Sequence, residues 1–220
     1  INVISLSLGE PDFNTPNHIK EAAKQAIDSG KYDSYSPISG YLDLKQAICE
    51  KFKRDNNLDF RPEQIVVSNG AKQTVYNLCQ ALLNPGDEVV VFAPYWVSYW
   101  EIIKMSDGIP VPVFAGVETD FKPSPQQLAD AITERTKFVI FSSPCNPTGT
   151  VFSRQELQEY ADVIASHEHV LIVSDEIYEY INFGEKHVSI GAFDNVKSQT
   201  VIVNGFAKGH AMTGWRLGWM

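Results

Sequence analysis

Six short runs rich in β-branched and other apolar residues, at 64–68, 88–92, 109–113, 138–142, 170–174 and 200–204, punctuate the chain beyond Pro62. Each is only four to six residues long. Between the first five lie windows of helical spacing, such as Val75, Leu78 and Leu82, or Leu157, Tyr160, Ala161 and Ile164. Strands alternating with amphipathic helices are the signature of βαβ units, so the chain is expected to be α/β: a mostly parallel sheet between two layers of helices. Upstream, Ile19, Ala22, Ala23, Ala26 and Ile27 predict a helix entered at Thr15-Pro16 and stopped by Gly30, and Leu44, Ala47, Ile48 and Phe52 predict a second.

Composition narrows the partners. At 220 residues the chain is long enough to bury a core without disulfide or metal staples. Its 27 carboxylates against 18 Lys and Arg argue against a phosphate-backbone binder, so no nucleic-acid partner is expected. Cys49, Cys79 and Cys145 are too few and too scattered for a disulfide framework or a zinc ribbon, which fits a reducing cytoplasm. No apolar run reaches the length of a membrane helix, and residues 1–8 lack the form of a signal peptide. His167-Glu168-His169 is not a zinc motif and reads as a solvated turn, so no metal site is expected. The chain starts without Met on an apolar, strand-like stretch and stops at Met220, directly after Arg216-Leu217-Gly218-Trp219; both ends read as cuts in a longer chain.

In a parallel sheet the ligand sits beyond the carboxyl ends of the strands, so the residues after each run are where chemistry is sought. After 64–68 come Asn69, Gly70, Ala71 and Lys72, a small-residue turn opening a helix; its free N–H groups suit an anion, although it equally reads as a plain strand-to-helix turn. After 88–92, Tyr95 and Trp96 are either core or a cover for a flat ring. After 138–142, the prolines of the 143–149 turn aim Asn146 at the cleft. After 170–174 comes Asp175, which at the end of a buried strand wants a cation or donors, or else is a helix N-cap. After 200–204 comes Lys208, a candidate Schiff-base former if desolvated, with Arg216 eight residues on. Together these supply a lysine for an aldehyde, a carboxylate for a pyridinium nitrogen, a ring to stack and donors for a phosphate.

The chain resembles the class I pyridoxal-phosphate aminotransferases, and within them the bacterial aspartate aminotransferase branch. The markers are Gly9-Glu10-Pro11-Asp12-Phe13, residues 35–40, Gly70-Ala71-Lys72-Gln73, Pro94-Tyr95-Trp96-Val97-Ser98-Tyr99, Asn146-Pro147-Thr148-Gly149, Ser174-Asp175-Glu176-Ile177-Tyr178 and Lys208 with Met212-Thr213-Gly214-Trp215-Arg216. The resemblance covers essentially the whole chain. It implies pyridoxal 5′-phosphate as cofactor and the fold type I large domain, with residues 1–40 an N-terminal segment carrying substrate-side and subunit-contact residues, 41–220 the cofactor-binding domain, and a small C-terminal domain lying outside this chain.

Residue by residue, it implies that Lys208 holds the cofactor aldehyde and shuttles the substrate proton, and that Asp175 keeps the ring nitrogen protonated. Tyr178 and Asn146 would bond the 3-oxygen, Asn146 also meeting the substrate carboxylate. Trp96 would stack on the ring, and Gly70, Ala71, Lys72 and Arg216 would hold the phosphate. Tyr35 resembles the tyrosine that reaches the neighbouring subunit's phosphate, implying a homodimer with shared sites. Gly9 would line the substrate carboxylate, and Lys72 points to an acidic substrate side chain such as aspartate. Ala207 replaces a serine common in relatives, and Gly209-His210 also departs from the usual pair; His210 is expected to be filler. The expected reaction moves an amino group between an amino acid and a 2-oxo acid. A β-lyase or decarboxylase, and a cofactor-binding piece without turnover, are the alternatives.

Overall fold

The computed structural model describes residue 4, residues 9–184 and residues 186–220. The strand-like reading of residues 1–8 lies, but for residue 4, outside the described residues. Among the described residues seven strands form one sheet in the order β1-β7-β6-β5-β4-β2-β3, where β1 is Val67–Ser68, β2 Glu88–Ala93, β3 Ile109–Phe114, β4 Thr136–Ser142, β5 Leu171–Asp175, β6 Thr200–Gly205 and β7 Gly218–Trp219. The β2, β3, β4, β5 and β6 pairings are parallel, and β7 runs antiparallel to both β6 and β1.

Strand pleat explains the layers. Successive side chains leave a strand on opposite faces. Val89 and Val91 of β2 pack with Phe138 and Ile140 of β4 against α3 (Ala71–Leu82) and α4 (Ser98–Met105), in one core with Val75, Leu78, Tyr99 and Ile103. Val90 and Phe92 face the other way with Val139 and Phe141, meeting α5 (Pro125–Ala131) and α6 (Arg154–Ala165) through Leu128, Leu157, Tyr160 and Ile164. Both sheet faces are therefore covered, which is why these strands read as unbroken apolar runs. The result is a three-layer α/β/α fold.

Two local readings change. The 64–68 run contributes only Val67 and Ser68 to the sheet, its first residue Gln64 being taken up by the 3-10 turn Pro62–Gln64. The last residues form the antiparallel strand β7, for which the sequence carries no periodic signal, since two residues are too few to show one. The helices expected near residues 19–27 and 44–52 are α1 (Asn17–Asp28) and α2 (Leu42–Lys51). In α2 the predicted apolar face holds, with Ile48 buried and Phe52 buried just beyond it. In α1 no residue is buried, and Ile27 is exposed. Among the described residues no helix is long and apolar enough to cross a membrane.

Candidate active site

The carboxyl ends of β4, β5 and β6 lie side by side, with Ser142 opposite Asp175 and Asp175 opposite Val203. The segments that leave these ends surround a cavity of about 690 Å³. Its lining brings together Gly9, Ala71, Lys72, Trp96, Asn146, Asp175, Tyr178, Lys208 and Arg216, all named from the sequence. Gly70 stands just behind this wall. Tyr35 does not join it and is fully exposed.

Asp175 forms the buried floor, at 4% exposure. The Tyr99 hydroxyl donates to its Oδ2 at 2.5 Å and the Ile177 N–H to its Oδ1 at 3.2 Å. No helix begins at Asp175, so it is not an N-cap, and among the described residues no cation pairs with it. Burial therefore dominates: it pushes the carboxyl up to about 6, against the lowering effect of the Tyr99 and Ile177 donors, with the neighbouring Glu176 charge adding to the rise. Tyr99, fully buried beside that carboxylate, is held well above the ordinary phenol value by desolvation and then by Asp175. The sequence assigned Tyr99 no role. The available signal was its position as the second residue of α4, three beyond Trp96, where a helix facing the sheet must aim a large side chain inward.

Lys208 is half-buried, and its ammonium donates to the Gly9 carbonyl oxygen. Desolvation lowers its pKa, Glu10 opposes that, and Arg216 reinforces it. The same ammonium lies 5.6 Å from the centre of the Tyr178 ring. Across the cavity the Asn146 amide donates to the Tyr178 hydroxyl at 3.5 Å, a long contact that leaves both groups capacity for another partner. Burial, followed by the Asp175 charge, raises the Tyr178 pKa. Lys72 places its ammonium 5.1 Å from the centre of the Trp96 indole, which packs edge-on against Tyr99.

The remaining wall is built for an anion. Gly70 caps α3 without any side-chain cap, so the amides of Ala71 and Lys72, the first two of the helix, have no helical partner. Gly70 has φ +86°, and a Cβ there would lie 2.3 Å from Arg216 Nη2. Only glycine lets the guanidinium reach this helix terminus. Arg216 is itself in the left-handed region, at φ +56°, and its Nη1 donates to the Thr213 carbonyl at 2.7 Å. His210 lies outside this lining and packs edge-on against Tyr180 and Phe206. His167 and His169 sit in the turn between α6 and β5, where His169 Nε2 meets the Thr133 carbonyl oxygen at 3.2 Å.

A mostly parallel sheet with a buried carboxylate that no cation meets among the described residues, a half-buried lysine and an anion seat at its carboxyl edge defines a class of protein, and comparison with known proteins agrees. Residues 1–220 match the family model for aminotransferase class I and II, and the chain belongs to that family. It is 50% identical over 220 residues to an aspartate aminotransferase of Bacillus subtilis, matching 99% of this chain and 56% of the relative. It is 47% identical to an aspartate/prephenate aminotransferase of Cereibacter sphaeroides, over 99% of this chain and 55% of that protein. Among solved structures, the Thermus thermophilus aspartate aminotransferase with maleate superimposes with a TM-score of 0.93 at 45% identity, over 97% of this chain and 55% of that one. The aromatic aminotransferase of Pyrococcus horikoshii gives 0.95 at 42%, over 99% and 58%. The chain thus spans a little over half the length of the relatives it matches.

Proposed function

We propose that this chain carries the cofactor site of a pyridoxal-phosphate-dependent aminotransferase that moves an amino group between an amino acid, aspartate or a similar acidic or aromatic donor, and a 2-oxo acid. One observation carries the reading: a single cavity holds a buried carboxylate with no cation, Asp175, and a half-buried lysine whose charge is disfavoured, Lys208. Pyridoxal phosphate has the complementary groups, and the donor set fits them. Asp175 would meet the ring nitrogen, whose positive charge offsets the cost of burying the carboxylate. Tyr178 and Asn146 would converge on the phenolic oxygen, Trp96 would cover the ring, and Arg216 with the first amides of α3 would hold the phosphate. When bound, the group supplies an electron sink for a carbanion at the substrate Cα.

The chain's own residues would handle protons and orientation. Burial lowers the Lys208 pKa and so favours the neutral amine, the form that would take and return a proton at the substrate Cα. Gly9 and Asn146 border the space left for the substrate carboxylate, and Lys72 offers a cation to an acidic side chain. The names of the relatives and the maleate-bound Thermus structure, maleate being a dicarboxylate, support an acidic substrate. A homodimer with shared sites is part of the same reading: Tyr35 is exposed and away from its own cavity, as a residue serving a second subunit would be. So are the division at residue 40 and a cytoplasmic location, the latter in keeping with three free thiols.

The test is reconstitution with pyridoxal phosphate, borohydride reduction and peptide mapping, followed by an assay for oxaloacetate from L-aspartate and 2-oxoglutarate. The expected result is one stable label on Lys208, lost in Lys208→Ala, and turnover with aspartate. A label elsewhere, or none, overturns the reading.

A further inference from the structure

On the side of the β5 end away from the cavity lies a second polar cluster that the proposed reaction does not use. Glu176, next to Asp175, is completely buried; its Oε1 accepts from Ser189 Oγ at 2.6 Å and from Ser174 Oγ at 3.1 Å, and its Oε2 meets His187 Nε2 at 3.0 Å. One turn on, buried Glu179 pairs with Lys51 of α2 and accepts from Asn204 Nδ2 at 2.9 Å and Asn56 Nδ2 at 3.1 Å. The three groups Glu176, Glu179 and His187 are close enough to suggest a metal cage, with ligand atoms within 4.8 Å of one another. Charge balance points elsewhere. Lys51 pairs with one of the two buried carboxylates, and His187, whose side chain is 6% exposed, is the group in contact with the other.

We propose that His187 stays protonated against Glu176 and is a positioning residue for the active site, closing a four-charge network that fixes the backbone from which Asp175 and Tyr178 reach the cavity. This role rests on the proposed function. The geometry is specific. Tyr178 lies between the two anchored acids, and the Glu179 N–H donates to the Glu176 carbonyl at 3.0 Å, so the turn is held at both ends. Asn204, bonded to Glu179, is the fifth residue of β6, the strand that leads to Lys208. The network therefore ties together the two strand ends that carry the carboxylate and the lysine.

Among the described residues, the groups that face or neighbour the His187 ring are Glu176, Glu179 and Tyr180 from the β5 turn, Lys51 from α2, Arg54 and Asp55 from the turn after α2, and Lys186 on its own loop. The two acids outweigh burial and Lys51, holding the imidazole above its ordinary value. His187 Nδ1 is buried without a protein partner among the described residues, so protonation leaves that N–H unpaired, a cost that the two carboxylates must offset. If the charge were lost, Glu176 would stand as an uncompensated anion one residue from Asp175.

Two measurements test this. In the cofactor-free chain, NMR titration should find the His187 imidazole protonated at neutral pH; a neutral ring there overturns the proposal. With pyridoxal phosphate bound, His187→Gln, which keeps the hydrogen bond but not the charge, should move the pH midpoint of the cofactor's absorption band upward by about one unit, since an uncompensated carboxylate favours protonated forms. The double variant Glu176→Gln with His187→Gln removes both charges and should bring the midpoint back. A purely structural role predicts no midpoint shift in the single variant, or a shift the double variant fails to correct, and either outcome overturns the proposal. If the unaltered chain shows no cofactor band, the functional reading fails and this role with it, while the NMR result still reports the charge of the pair.

Discussion

The Tyr99 hydroxyl donates to Asp175 at 2.5 Å, joining the first turn of α4 to the end of β5 beneath the cavity. This bond is the strongest contact found for Asp175 and opposes the burial that raises its pKa. Tyr99→Phe is expected to push the carboxyl above about 6, because the group that lowers it most is gone. It should also cost about 1–3 kcal/mol of stability at neutral pH, where a buried carboxylate oxygen loses its donor. Carboxyl-carbon NMR and denaturant titration measure the two effects.

Asp175→Asn separates function from stability. The folded pKa of Asp175, about 6, lies above its ordinary value of 3.8. Stability from the protonated form is thus fully present below about pH 4 and is lost as the pH rises through about 6. The cofactor-free asparagine variant should gain on the parent across that window, by at most ~3 kcal/mol, and should lose transamination. Melting curves at pH 5 and pH 8 check it. An equal difference at both values contradicts the assignment.

Gly70→Ala meets two obstacles, a positive φ and a Cβ placed 2.3 Å from the Arg216 guanidinium. The expected cost in stability is about 1–3 kcal/mol. Displacing Arg216 should weaken pyridoxal phosphate binding at least about tenfold, the equivalent of ~1.4 kcal/mol. Equilibrium titration, with pyridoxal lacking the phosphate as control, isolates the effect: the unphosphorylated form should bind both variants alike.

Away from the site, Ser153 caps α6 by accepting from the Glu156 N–H, while the Glu156 side chain accepts from the Ser153 N–H at 2.7 Å. Ser153→Ala should cost about 1 kcal/mol and Ser153→Thr much less. Both are read by urea denaturation, with pyridoxal phosphate affinity unchanged.

Much of the architecture is legible in the chain. The runs at 88–92, 138–142, 170–174 and 200–204 became β2, β4, β5 and β6 nearly residue for residue, because strands covered on both faces must be apolar throughout. The windows around Leu78 and Leu157 became α3 and α6 because an amphipathic helix records its buried face in its spacing. Asn146, Asp175 and Lys208 could be nominated because each ends or follows a strand. What escaped were β7, too short for periodicity, and the polar partners: Tyr99 under Asp175, His187 on Glu176, and Lys51 with Asn204 on Glu179.

By itself, then, the sequence determined the types of the longer elements, the layer order and the kinds of side chain at the carboxyl edge of the sheet, since each is written in local spacing. Only the tertiary structure decided which groups face one another. Tyr99 and Asp175 stand 76 positions apart and meet solely because α4 packs on the sheet above the end of β5. No local pattern records such a pairing, and it is these pairings, through burial and hydrogen bonding, that shift the pKa values of Asp175, Lys208 and His187.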